Sequence, residues 1–181
     1  MPTKSKSISP RRPAAKKRQP VIELVPATFD LKTILVPTDF SKSSLNALRY
    51  AAAFSRQTGA TLILAHVVPL KLFPIDYFIT PAPDEDENLL RQAKAREKLE
   101  EWAAEIARET GVATRPVVAV GSAVEEICAM ATREKADLVI IATHGASSMR
   151  AALIGSVAER VIRHATRPVL VVRGPGQALL K

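Results

Sequence analysis

The chain has 181 residues, 47% of them hydrophobic, and a formal net charge of +8. That length and apolar content suit one globular domain with a proper core, and no apolar run approaches the roughly 18 residues that a bilayer span requires. A single cysteine, Cys128, rules out an intrachain disulfide, so nothing implies an oxidising compartment and the expected setting is cytoplasmic.

The charge is unevenly placed. Residues 1–20 carry seven basic groups (Lys4, Lys6, Arg11, Arg12, Lys16, Lys17 and Arg18) and no Asp or Glu. Residues 21–181 therefore hold 19 basic against 18 acidic groups, a net of +1. The N-terminal segment is rich in Ser, Pro, Lys and Arg and lacks hydrophobic periodicity. It cannot bury enough apolar surface to offset chain entropy, so residues 1–28 are expected to form a disordered basic tail. The tail could be plain solvated chain, a weak charge contact (residues 1–20) for a polyanion or an anionic lipid surface, or a targeting peptide. No apolar stretch follows Arg11-Arg12, which argues against export.

The first strand is expected at Lys32–Pro37, a short run rich in β-branched residues that Pro37 ends. Ser41 sits where a helix N-cap belongs. Beyond it Leu45, Leu48 and Ala52 share one face, with Ala47, Ala51 and Phe54 beside them, and Gly59 stops the helix. Thr61–Val68 is a continuous apolar run closed by Pro69, the second strand.

From Leu70 to about Asp86 the pattern breaks. Pro69, Pro74, Pro81 and Pro83 surround the aromatic cluster Phe73, Tyr77 and Phe78, and the acidic patch Asp84–Glu87 follows. A loop this long could be a lid or a contact surface, or could pack across the sheet edge. A charged helix comes next, with Leu99, Trp102, Ala103 and Ile106 as its buried stripe and Gly111 near its end. Arg115–Val120 is the third strand. Ser122 and Glu125 then form a capping-box pattern at the head of a third helix, on whose apolar stripe Cys128 falls as a buried, inert thiol. Leu138–Ala142 is the fourth strand, a fourth helix starts near Ser156, and Pro168–Val172 is the fifth strand, leaving 175–181 as a short C-terminal tail.

The order βαβαβαβαβ, with strands that are nearly all apolar, describes an α/β domain over residues 29–174. Its sheet is open, five-stranded and parallel, with helices on both faces. Right-handed crossovers favour the strand order 3-2-1-4-5, a doubly wound, Rossmann-like arrangement. A crevice then opens between strands 1 and 4 at their carboxyl ends, where such folds bind ligands.

Two features fall at that crevice. One is Pro37-Thr38-Asp39-Phe40-Ser41. The other is Ala142-Thr143-His144-Gly145 together with Gly155-Ser156. A carboxylate just past a central strand can accept a hydrogen bond from an exocyclic amine or a sugar hydroxyl. Glycines let backbone approach phosphate closely, and a helix N-terminus supplies N–H donors. Taken singly, each residue also has a structural explanation. Asp39 could cap the first helix, Thr38 and Ser41 are ordinary turn residues, and Ser156 with Glu159 is another capping-box pattern.

Over roughly residues 31–173 the chain resembles the universal stress protein family. The resemblance is carried by ILVPTDFS, by LILAHVV, and by DLVIIATHG followed by LIGSVAERVIRHATRPVLVV. The nucleotide-binding branch of that family has the pattern Gly-x2-Gly-x9-Gly-Ser/Thr. Gly145, Gly155 and Ser156 match it, and Ala142 replaces the first glycine. The resemblance implies an ATP-binding stress-response regulator acting as a dimer. Asp39 and the Val67 backbone would contact the adenine, in a pocket lined by Pro37 and Thr38. Ile141 and Ala142 would lie against the adenosine, and Gly145, Gly155, Ser156 and Val157 would hold the phosphates. Alanine at 142 costs little if φ is negative there and on the order of 1 kcal/mol if φ is positive. The apolar last strand, 168–172, would be a sheet edge open to pairing, and the resemblance likewise points to a homodimer around it.

Other nucleotide and metal chemistries lack their motifs. The chain has no GxxxxGK[ST], no GxGxxG after the first strand, and no Cys/His ligand spacing, since His66, His144 and His164 fall on three elements. Any Mg2+ is expected to arrive with the triphosphate. No general base stands beside a nucleophile, so at most slow ATP hydrolysis or phosphate transfer to Ser147, Ser148 or Ser156 is expected. The alternative is an interaction module of the same fold that binds no nucleotide and recruits a partner through the basic tail or the 71–86 loop.

Overall fold

The computed structural model describes residues 30–70, 85–143 and 154–173. The basic tail, the aromatic cluster at 73–78, His144, Gly145, Ser147, Ser148 and the C-terminal tail lie outside the described residues. Five strands and four helices alternate: β1 (Thr33–Pro37), α1 (Lys42–Thr58), β2 (Thr61–Val68), α2 (Glu85–Thr110), β3 (Thr114–Val120), α3 (Ala123–Arg133), β4 (Leu138–Ala142), α4 (Ser156–His164) and β5 (Val169–Val172). All strand pairs are parallel and the order is β3-β2-β1-β4-β5, as the apolar runs and right-handed crossovers require. β2 and β4 begin and end where the sequence places them. α2 begins earlier than the break in periodicity suggests, because the acidic run Glu85–Glu87 suits a helix N-terminus.

The sheet separates two cores. On one face Ile34, Val36, Leu62, Leu64, Ile140 and Ala142 pack with Ala47, Leu48 and Ala51 of α1 and Leu99 of α2. On the other, Leu35, Ile63, Ala65, Val139 and Ile141 pack with Val124, Ile127 and Met130 of α3 and with Ala158 and Val161 of α4. Alternate residues of each central strand serve opposite layers, as the period of two demands.

The buried face of α1 differs from the expected one. Leu45 and Phe54 are 38% and 37% exposed, while Ser44 and Ser55 are buried in their place. Small residues let α1 lie close to the sheet, and the two hydroxyls stay satisfied. Ser44 Oγ donates to the Ser41 carbonyl and Ser55 Oγ to the Ala60 carbonyl. The expected stops hold: Ser41 caps α1 by accepting from Ser44 N, and Gly59 ends it in the left-handed region at φ 76°. On α2, Leu99 and Ala103 are buried as expected, whereas Trp102 and Ile106 are only partly so. At α3, Ser122 occupies the N-cap but makes no side-chain cap bond, so the capping box is not formed there. Cys128 is half-buried rather than buried, and burial pushes its thiol pKa up, which favours the protonated form.

Two carboxylates tie the sheet's starting end. Asp137 Oδ2 accepts from the backbone N–H groups of Lys32 (2.8 Å) and Thr33 (2.9 Å), docking β1 against the turn before β4. Glu134, at the end of α3, pairs with Arg115 of β3 and with Arg133. The Arg115 guanidinium, aided by Arg133, holds the Glu134 carboxyl below its usual pKa range. A carboxyl lowered on folding stabilises the native state above its unfolded pKa, and the contribution is lost as pH falls through the folded value. Glu134→Gln should therefore flatten the fall in urea midpoint on acidification below about pH 4.5. An unchanged slope would rule this out.

Candidate functional site

The carboxyl ends of β1, β2 and β4 and the first turns of α3 and α4 enclose a cavity of about 430 Å³. This is within the range of small-molecule sites, roughly 300–1,000 Å³. Pro37, Thr38, Asp39, Val67, Ile141, Ala142, Gly155, Ser156 and Val157 all line it. These are the expected site residues except Gly145, which lies outside the described residues. The wall also contains Ser44, Ala65, His66, Ala123, Ile127, Thr143 and Ala158. Thr143 belongs to the Ala142–Gly145 feature read from the sequence, and most of the others are small or apolar and carry no sequence signal. His66 did show one, as a lone polar ring inside an apolar strand.

The turn after β1 is built around Thr38, which is buried. Its N–H donates to the Ala65 carbonyl at 2.8 Å, joining it to β2. Its Oγ1 accepts from Phe40 N at 3.0 Å and lies 2.9 Å from Ser44 Oγ. Asp39 Oδ1 accepts from Ser41 N at 3.1 Å, so Asp39 shapes the entry to α1 without being its cap. Phe40 stands in the left-handed region at φ 62°, a conformation that costs a residue with a Cβ roughly 1–2 kcal/mol. Its ring is held by three contacts: the His66 ring at 4.6 Å between centroids, the Trp102 ring edge-on at 5.4 Å, and Lys98 Nζ at 4.6 Å above it.

Ala142 ends β4 in register with Val172. Phe40 and Lys135 are the only non-glycine residues with positive φ among the described ones, so Ala142 carries no left-handed strain. Its methyl packs into the core beneath α1 and is 7% exposed. Of the two costs weighed for this replacement, the small one applies.

The head of α4 corrects the capping-box reading of Ser156. Gly155 is the N-cap, at φ −65° and ψ 150°, and Ser156 is the first helical residue. Glu159 does not reach back to close a box; its carboxylate pairs with Arg163 at 3.0 Å. Gly155 N donates to the Thr143 carbonyl at 2.7 Å and its carbonyl accepts from Glu159 N at 2.9 Å. The amides of Ser156, Val157 and Ala158 have no intrahelical partner and are thus left as donors for a ligand. A glycine cap supplies no side-chain acceptor to occupy them. Asp39 is the only Asp, Glu, Lys or Arg among the described lining residues, so an anion in this cavity would be met by backbone amides and the helix dipole. No cluster of His, Cys, Asp and Glu suited to a metal occurs among the described residues. Nor is any described helix long and apolar enough to cross a membrane.

The sequence and fold have relatives among known proteins. Universal stress protein MJ0577 of Methanocaldococcus jannaschii is 32% identical over 154 residues, covering 78% of this chain and 94% of that protein. Universal stress protein G of Escherichia coli O157:H7 is 32% identical over 145 residues, covering 78% and 99%. Among solved structures, a universal stress protein in complex with cAMP aligns with a TM-score of 0.59 and 26% identity, over 81% of this chain and 100% of that one. The universal stress protein from Archaeoglobus fulgidus in complex with dAMP aligns with a TM-score of 0.56 and 27% identity, over 79% and 98%. The sequence model of the universal stress protein family matches residues 30–173, the whole of the sheet and its four helices, and the chain belongs to that family.

Proposed function

We propose that this chain is a stress-response regulator that binds an adenine nucleotide, ATP, at the switch point between β1 and β4. The observation that carries this is the first turn of α4, whose residues Ser156–Ala158 have amides without intrahelical partners and line the same cavity as Asp39. One group suits phosphate and the other an exocyclic amine or sugar hydroxyl. Relatives of the same fold in complex with cAMP and with dAMP support an adenine nucleotide as the ligand class. Pro37, Thr38, Asp39 and Val67 would form the base end, and Ile141 and Ala142 would lie along the adenosine. Gly145, Gly155, Ser156 and Val157 would surround the phosphates, with Ser156 and Val157 donating their amides. Mg2+, when present, would enter on the triphosphate and neutralise its charge. Calorimetric titration of nucleotide-stripped protein with ATP should give saturable binding. No heat at millimolar ATP overturns the reading.

The regulator would work as a homodimer. β5 ends the sheet order, and Val169, Leu170 and Val171 on it are only half-buried, an apolar edge that invites a second copy. Sedimentation equilibrium at tens of micromolar should report twice the mass of the chain, and a monomer there would refute the pairing.

A further inference from the structure

All three polar atoms of Thr38 are engaged, and the bond to its carbonyl comes from His66, the residue whose ring also packs against Phe40. His66 Nδ1 stands 2.8 Å from the Thr38 carbonyl oxygen. A carbonyl only accepts, so Nδ1 carries a proton in either charge state of the ring. Ser44 Oγ directs its own proton to the Ser41 carbonyl at 2.9 Å, so the 2.9 Å bond between Thr38 and Ser44 has Thr38 as donor. Thr38 Oγ1 in turn accepts from Phe40 N.

These bonds act on the two peptide groups that flank Asp39. The peptide before it is fixed through the Thr38 carbonyl by His66, and the peptide after it through Phe40 N by Thr38 Oγ1. His66 contributes a second time, since its ring backs the Phe40 ring and so supports the left-handed turn. We infer that His66 is a positioning residue that sets the base preference of the cavity, by holding Asp39 where its carboxylate accepts from the exocyclic amine of adenine. This rests on the nucleotide reading above.

Inosine triphosphate carries a 6-oxo group where ATP carries the 6-amine, so a fixed carboxylate acceptor discriminates between the two. The protein should bind ATP about tenfold or more tightly than inosine triphosphate, the scale of one well-placed hydrogen bond to a charged group. His66→Leu keeps an apolar side chain of similar bulk but loses the donor, and should bring the ratio close to one. His66→Asn places an amide donor near the position of Nδ1 and should restore most of it. An unchanged ratio in His66→Leu overturns the inference, and so does an equal loss in both variants. Nitrogen-15 NMR of His66 in the unaltered protein needs no variant to fold. It should show Nδ1 protonated at neutral pH, and a bare Nδ1 overturns the inference. If the unaltered protein binds ATP and inosine triphosphate equally well, only this inference fails. If it binds neither, the nucleotide reading fails with it.

Discussion

Gly155→Val is expected to weaken ATP binding by tenfold or more, about 1.4 kcal/mol for each factor of ten, while leaving the fold intact. Gly155 has φ −65° and ψ 150°, an extended conformation that valine adopts readily, so the substitution brings no backbone strain. Its N–H and carbonyl are already bonded to Thr143 and to Glu159, and neither bond needs the residue to be glycine. What changes is the wall of the cavity, where three carbons would stand at the head of α4 beside the amides of Ser156 and Val157. An apolar residue is also a poorer N-cap than glycine, which should cost the helix no more than about 1 kcal/mol. Calorimetric titration read beside a thermal melt separates the two effects. An unchanged ATP affinity in a folded Gly155→Val protein would place the phosphates elsewhere.

Leu99→Ala should produce the largest loss of stability, about 2–5 kcal/mol, measured as a lower urea midpoint. Leu99 is fully buried, and the other well-buried contacts of α2 are the small side chains of Ala95 and Ala103. The leucine is thus the main anchor of a 26-residue helix on the sheet. Trp102 and Lys98 of the same helix also hold the Phe40 ring, so a loosened α2 should reach the turn that carries Asp39. A fall in ATP affinity alongside the fall in stability is expected. A loss below about 1 kcal/mol would show that α2 docks through other contacts.

The strands were legible because each is an apolar run bounded by a breaker or a polar residue. Gly59 and Pro69 bracket β2, and Asp137 precedes β4. The strand order followed from chain connectivity, which the handedness of crossovers limits to few choices. The helices were legible as elements but less so as faces. Leu45 and Phe54 lie on the outer edge of α1 while Ser44 and Ser55 lie inside, because a serine whose hydroxyl bonds to nearby backbone is compact enough to be buried without penalty. The capping-box patterns at Ser122 and Ser156 were real in sequence and unformed in structure. At Ser156 the reason is tertiary: the Thr143 carbonyl holds Gly155 N, and Gly155 takes the cap position with Ser156 as the first helical residue.

By itself the sequence determined the element order, the parallel sheet and the switch point, since periodicity and breakers are local properties, and its family resemblance named nine of the residues that line that point. The tertiary structure decided which polar groups at that point remain available. Asp137 reaches back across the sheet to β1, His66 reaches 28 residues back to the Thr38 carbonyl, and Thr143 takes the amide of Gly155. Such bonds link positions far apart in the chain and leave no trace in local spacing. They convert a list of candidate residues into a cavity that keeps the amides of Ser156, Val157 and Ala158 as donors for a ligand.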